Sequence, residues 1–178
     1  GNAKDKMVSA INVAIEFENM LPAQQKAYFT DGYDGFNHIH HLEGNCEEAT
    51  LEYIIRNHNL SLAKKQINDF KRIKKYLDEK YGYELINLEI NESYLNMAEI
   101  IKDNYYIIEK LEKAMKKLGI EAYASPIRGG TDGARLTYMG LPCPNIGTGG
   151  DNFHGPFEFV SLTMMKQSVE ILKELVKE

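Results

Sequence analysis

The last helix of this sequence sets a condition that the rest of the chain must meet. From about Ser161, Leu162, Met165, Val169, Leu172 and Val176 mark one face, and Met164, Ile171 and Leu175 mark the adjoining one. A helix apolar over two faces needs a broad apolar surface to pack against, and a sheet is the usual one. Yet only two short segments in this half read as strands, "EAYASP" at 121–126 and "LPCPNIGTG" at 141–149. The pattern asks for more sheet than these residues supply.

The first ninety or so residues have a different rhythm. Asn2, with Asp5 three residues on, predicts a helix cap, and Met7, Ile11, Ala14, Ile15 and Leu21 then recur at helical spacing. "TDGYDGF", from Thr30 to Phe36, is loop chemistry. Two extended runs follow, joined by Gly44 and Asn45. Between Glu47 and Arg56, Ala49, Leu51, Tyr53 and Ile55 alternate with mostly polar residues, which predicts a half-buried strand in a hairpin.

From Ser61 to Tyr81 the positions Ala63, Ile67, Phe70, Ile73 and Leu77 predict a long amphipathic helix. Its outer lysines, Lys64, Lys65, Lys71, Lys74 and Lys75, are offset by Asp69, Asp78 and Glu79 and read as a solvated face. "ELINLEINES", Glu84–Ser93, predicts a further strand. The order α-β-β-α-β is that of a ferredoxin-like β-α-β-β-α-β sandwich lacking its first strand.

Beyond it, Asn104–Leu118 predicts a helix with Ile108, Leu111, Met115 and Leu118 inward and Gly119 at its C′ position. The expected organisation is therefore an α+β domain over 1–97 and an α/β segment over 98–178, with the boundary inside Ser93–Asn104.

A formal net charge of −5 argues against nucleic acid as a partner. No apolar run nears the roughly 18 residues of a membrane span, and no basic-then-apolar leader precedes the first helix. Cys46 and Cys143 form no CxxC pair and read as buried thiols of a reducing compartment, so a cytoplasmic protein is expected.

More than half of the fourteen glycines fall between Ile127 and Gly155. Glycines cluster where backbone must turn sharply or pass close to something. Arg128, Gly129, Gly130 and Thr131 fit an anion site, with the arginine fork beside outward N–H groups. They fit equally a plain loop-to-helix turn capped by Thr131. His154, in "GGDNFHGPFEF", is placed for metal binding or proton transfer, but alone it is one ligand where zinc needs three or four. His38 and His40 share a strand face in "NHIHH", with no further ligand spaced to complete a site. No nucleophile elbow and no catalytic cysteine context occur.

Taken together, "PIRGGTDGARLTYMGLPCPNIGTGGDNFHG", Pro126–Gly155, resembles the C-terminal signature of the peptidase T family of tripeptide aminopeptidases. These are co-catalytic zinc peptidases of the aminoacylase and glutamate carboxypeptidase superfamily. The likeness extends upstream through "SYLNM", "DGFNHIHHLEGN", "LEYIIRNH" and "GNAKDKMV", and so covers essentially the whole chain.

The resemblance implies a catalytic domain interrupted by a ferredoxin-like lid and then resumed, with this chain as most of the lid plus the end of the catalytic domain. Gly1 resembles the last residue of the His-Pro-Gly segment that enters the lid. His154 matches a zinc-ligating histidine, Arg128 the arginine that holds the substrate carboxylate, and Thr131 a secondary contact. Asn96 is a further substrate-contact candidate. The family's other ligands to its two zinc ions and its glutamate base have no counterpart, which implies that this chain alone neither holds zinc tightly nor hydrolyses tripeptides. A homodimer through the lid is implied as well. The alternative is a stand-alone dimerisation module that uses the lid fold without catalysis.

Overall fold

The computed structural model describes residues 2–93 and 95–177, so Gly1, Glu178 and Tyr94 of "SYLNM" lie outside the described residues. The chain divides into two compact units, Gly1–Asn91 and Glu92–Glu178. Its class is mixed α and β, with small sheets and packed helices.

In the first unit the helix starts later than Asn2 predicts. Residues 4–6 form a turn with Asp5 in the left-handed region at φ 58°. Helix α1 (Ala10–Met20) begins after Ser9, whose side chain makes no capping bond. The buried stripe is Val13, Ala14 and Phe17, continued by Leu21, while Ile15 is 52% exposed. Burying Phe17 instead of Ile15 removes more apolar surface from water, and α1 is turned accordingly.

The hairpin forms as the alternation predicts. Strands β1 (Phe36–Gly44) and β2 (Ala49–Arg56) pair antiparallel, from Gly44 opposite Ala49 to Phe36 opposite Arg56. Asn45 shapes the connection by accepting the N–H groups of Glu47 and Glu48 on its Oδ1, at 2.7 and 3.2 Å. Cys46, on this turn, is exposed rather than buried, and its carbonyl accepts the N–H of Ala10. The register shifts between Ile39 and His41, so His40 is the extra residue of a bulge and His41 is paired opposite Glu52. The alternation that would set His38 and His40 on one face is broken there.

Helix α2 (Leu60–Tyr81) is bounded by local chemistry. Asn59 caps it, taking the N–H groups of Ser61 and Leu62, and Gly82 ends it at φ 82°. Its buried stripe is Gln66, Phe70, Ile73 and Leu77. Phe70, Ile73 and Leu77 close on Val13, Phe17 and Leu21, with Tyr53 and Ile55 of β2 packed against the cluster. The ring of Phe70 lies 5.7 Å from that of Phe17 and 5.0 Å from that of Tyr53. The helices thus cover one face of the hairpin.

Gln66 is buried at 3% exposure, which needs an explanation in hydrogen bonds. It sits in a line of amides. Asn57 donates to Gln66 Oε1 at 2.8 Å, Gln66 donates to Asn37 Oδ1 at 2.9 Å, and Asn37 donates to Gln25 Oε1 at 3.1 Å. Each buried amide is paired, and the line ties β1 and the residue that follows β2 to α2.

The strand predicted over Glu84–Ser93 does not form. Leu85, Ile86 and Leu88 pack against the core, as a half-buried strand would. However, the N–H groups of Leu85 and Ile86 donate to Asp78 Oδ1 at 3.0 and 3.2 Å, not to a neighbouring strand. Burial pushes the Asp78 carboxyl up, but Lys74 at 2.6 Å and these two N–H groups outweigh it and hold the pKa below its ordinary value.

The second unit opens with α3 (Ala98–Ile101) and continues into α4 (Tyr106–Lys117). Gly119 stands at φ 70°, with Gly119 N–H donating to Lys116 O and Ile120 N–H to Met115 O, the pair of hydrogen bonds expected around a C′ glycine. Ala114 is buried and Ile108, Leu111 and Met115 are half-buried, but Leu118 is exposed. Helix α5 (Asp132–Tyr138) follows, then β3 (Gly150–Asp151) paired with β4 (Phe159–Val160), then α6 (Leu162–Leu175). Helix α6 packs against α4 through one face, where Ile171 is buried and Lys117 meets Glu174 at 3.3 Å.

The strands predicted at 121–126 and 141–149 pair with nothing in a ladder among the described residues. Tyr123 is 85% exposed. Leu162, Met164, Met165, Val169, Leu172 and Val176 are all exposed on α6. The surface that the last helix calls for is not supplied by this unit. No helix among the described residues is long and apolar enough to cross a membrane.

Asp78 gives the first prediction. A carboxyl whose folded pKa lies below its unfolded one stabilises above the unfolded value, and that contribution is lost as pH falls through the folded value. Replacing Asp78 by Ala should cost about 2 kcal/mol at pH 7, with the difference from the parent shrinking below about pH 4. Urea unfolding at pH 7 and pH 3 measures both.

Candidate active site

Arg128 lies half-buried just before α5, behind Gly129 and Gly130. Thr131 caps the helix, its Oγ1 accepting the Ala134 N–H at 3.3 Å. The same oxygen accepts from Asn145 Nδ2 at 3.3 Å, so only the hydroxyl hydrogen remains for an outside acceptor. A Cβ on Gly133 would meet the Cys143 carbonyl at 2.5 Å, which explains that glycine by close approach. Thr137, 1% exposed, takes the Cys143 N–H on its Oγ1 at 2.9 Å. Thr137 thus binds the Cys143 backbone to α5, and Thr131 binds the Asn145 side chain to the start of that helix. The helix has only seven residues, and its start is a capped turn more than an open anion site.

Asn96 works locally. Its Oδ1 accepts the Ala98 N–H at 3.0 Å and so caps α3, and its carbonyl accepts the Tyr138 hydroxyl at 2.9 Å. Through Tyr138 it is tied to α5, the helix that Arg128 and Thr131 precede.

His154 sits elsewhere in the unit, on the loop between β3 and β4. Gly149, at φ 77°, lies so close to Met164 of α6 that a Cβ there would collide with it. Ser168 of α6 donates to the Gly147 carbonyl at 3.2 Å, and Ser161 N–H to the Gly149 carbonyl at 3.3 Å. These contacts mount the β3–β4 hairpin on the last helix.

At the tip, Asn152 and His154 both take positive φ, 55° and 65°. Asn152 donates from Nδ2 to the Phe157 carbonyl at 3.3 Å and accepts the Gly155 N–H on its own carbonyl at 2.9 Å. The His154 N–H donates to Glu158 Oε2 at 3.0 Å, and the His154 side chain is exposed. A left-handed conformation costs a residue with a Cβ roughly 1–2 kcal/mol, with asparagine among the most tolerant. Such strain concentrates at functional sites.

Among the described residues no group of three or more His, Cys, Asp or Glu side chains could hold a metal ion. One exposed imidazole is not a zinc site, so the residues present do not fit that metal by themselves. His154 makes no hydrogen bond to Arg128, Thr131 or Asn96. The structure brings Thr131 to Asn145 and Asn96 to Tyr138, and leaves His154 with Glu158. Asn145, Tyr138 and Glu158 carry no sequence signal, because each acts through a turn or a helix position that spacing does not reveal.

The strain at His154 is testable. Glycine adopts positive φ freely, so His154→Gly should raise the unfolding free energy by about 1 kcal/mol while His154→Ala gives no gain. Equal stabilities for the two variants in urea would show that no strain is stored there.

Residues 6–178 match peptidase family M20/M25/M40. The chain is 45% identical to peptidase T of Geobacillus thermodenitrificans, over 99% of this chain and 43% of that relative. It is 44% identical to peptidase T of Clostridium perfringens, over 99% of this chain and 44% of that relative. It spans less than half the length of the curated relatives it matches. In fold it is similar to a tripeptidase from Staphylococcus aureus, with a TM-score of 0.67 at 20% identity, covering 96% of this chain and 45% of that one. An aminopeptidase from Bacillus cereus is similar at a TM-score of 0.63 and 16% identity, covering 99% of this chain and 47% of that one. The chain belongs to peptidase family M20/M25/M40.

Proposed function

We propose that this chain is the lid and the closing catalytic segment of a zinc-dependent tripeptide aminopeptidase, a cytoplasmic enzyme that removes the N-terminal residue from tripeptides. His154 carries the reading. It presents an exposed imidazole from a strained backbone, at the position that matches a zinc histidine of the peptidase T family. The 45% identity to a peptidase T along 177 residues supports it. Arg128 is the residue that takes the substrate's carboxylate, since a guanidinium offers a planar pair of donors to a planar pair of acceptors. Thr131, with its hydroxyl hydrogen still to give, stands three residues on and serves as the second contact. Asn96 contributes through Tyr138 and α3 rather than by its own side-chain oxygen, which is spent on a cap.

Two zinc ions per complete subunit are part of this reading, with His154 as one ligand and the others outside these residues. The isolated chain is accordingly inactive and holds zinc weakly. The first unit, with a closed core of its own, serves as the lid and as the homodimer contact. A dimerisation module without catalysis would account for that unit, but not for the apolar residues exposed along α6. In the proposed enzyme those residues are covered by the part of the relatives' length that this chain does not span.

The reading is tested by a hybrid that joins the uncovered part of the Geobacillus relative to residues 2–178 of this chain. The hybrid should hydrolyse tripeptides, and His154→Ala should abolish that activity. Calorimetry of the 178-residue chain alone should show no tight zinc site, and two tight sites would overturn the proposal.

Arg128 gives a separate prediction. In the hybrid, Arg128→Ala should raise KM for tripeptides about 10- to 100-fold, as loss of a charge-assisted pair does. C-amidated tripeptides should be affected much less. An equal loss for both would remove Arg128 from carboxylate binding.

A further inference from the structure

The backbone of His154 depends on a partner that is not part of any zinc set. Helical and strand residues have their conformation fixed by ladders of backbone bonds, but residues 152–158 belong to no such ladder. The loop is held by its own side chains. Asn152 reaches forward to the Phe157 carbonyl, and Glu158 reaches back to the His154 N–H at 3.0 Å. Glu158 N–H in turn donates to the Gly155 carbonyl at 3.2 Å, and Gly155 N–H to the Asn152 carbonyl at 2.9 Å. Each end of the loop thus grips the other.

Asn152 tolerates its positive φ, because a short amide side chain suits that region. His154 lies in the same region, where histidine too occurs more often than most residues with a Cβ. Its conformation persists only where the surroundings hold it. Among the described residues its hydrogen bond is to the Glu158 carboxylate. A carboxylate accepting a backbone N–H is a charge-assisted bond, stronger than a neutral one.

We propose that Glu158 is a positioning residue that holds His154 in the left-handed region and thereby sets the direction in which its imidazole points. This rests on the reading of His154 as a ligand of the complete enzyme, and it deepens that reading. Glu158 is itself exposed, so its side chain buries little surface and its role is confined to the loop bond. The distinction matters for the test, because a merely structural residue would lower global stability without a change confined to one backbone.

The test uses the 178-residue chain and NMR, with no metal added. A residue at positive φ shows a strong intraresidue NOE between its amide and α protons, because that dihedral brings them close. In the parent, His154 should show this signature. In Glu158→Ala it should weaken, the His154 amide should exchange about 10-fold faster, and the urea midpoint should stay close to the parent's. Glu158→Gln keeps an acceptor oxygen and should restore both His154 readouts. A Glu158→Ala chain whose His154 NOE and exchange match the parent overturns the proposal, as does a Gln variant that behaves like Ala. The activity of the His154→Ala hybrid is read independently. A fully active hybrid would sink the peptidase role of His154, while the NMR result would still decide whether Glu158 holds it.

Discussion

Helix α6 is the platform on which the His154 loop is built, and its burial is the constraint on which the second unit depends. Ser168 and Met164 of this helix fix the positions of Gly147 and Gly149, and from there the β3–β4 hairpin is carried to its tip. One face of α6 meets α4, and the apolar residues of the rest stand exposed. Exposed apolar stripes of this extent mark a surface made to be covered. The geometry of the loop is therefore tied to whatever covers the helix beneath it. A shift of α6 would move Gly149 and, with it, the backbone leading to His154.

The first unit solves the same problem within itself. Its two helices and hairpin bury each other, and polar ties fix how they meet. Glu18 of α1 accepts the Tyr53 hydroxyl at 2.5 Å and the Lys26 ammonium at 2.6 Å. Glu16 takes the ammonium of Lys80 and the hydroxyl of Tyr81, and the Lys80 bond holds its pKa below the ordinary carboxylate value. Burial, then the bond to Glu18, pushes the Tyr53 hydroxyl well above the usual tyrosine range. Both carboxylates point from one helix to lysine–tyrosine pairs on other segments. Hydrophobic contact is non-directional, so such ties choose one packing among several that would bury similar area.

What could be read in the sequence follows from how local each determinant is. Helix α2 was legible because its apolar stripe repeats over twenty-odd contiguous residues, and the cap at Asn59 and the glycine at Gly82 that the structure adds lie just beside its ends. The hairpin was legible for the same reason, its turn being set by Asn45. The start of α1 was not, since Asn2 and Asp5 satisfy a cap pattern while the backbone turns at residues 4–6, with Asp5 at positive φ, and the helix begins only after Ser9. The strand at 84–93 failed through a side chain on a different element, Asp78, which takes the N–H groups that a ladder would use. The bulge at His40 is likewise a property of the pairing and not of "NHIHH". At the site, Arg128, Thr131 and His154 stood out by residue type among glycines. Their supports, Asn145, Tyr138 and Glu158, are ordinary residues whose importance comes only from where the turns carry them.

The choice of residue at position 154 is the strongest physical argument that the loop is for something. A glycine there would take φ 65° without steric cost, and this chain does use glycine nearby where positive φ meets a close approach, as at Gly149. Selection for stability alone would favour glycine. Burial does not account for the histidine either, because its side chain is exposed and touches no core. Nor does hydrogen bonding, since among the described residues the bond at His154 is made by its backbone N–H and would survive in glycine. What glycine cannot provide is an imidazole. This chain keeps one at a positive φ, on a hairpin clamped to its last helix, and so presents the side chain to solvent from a fixed support.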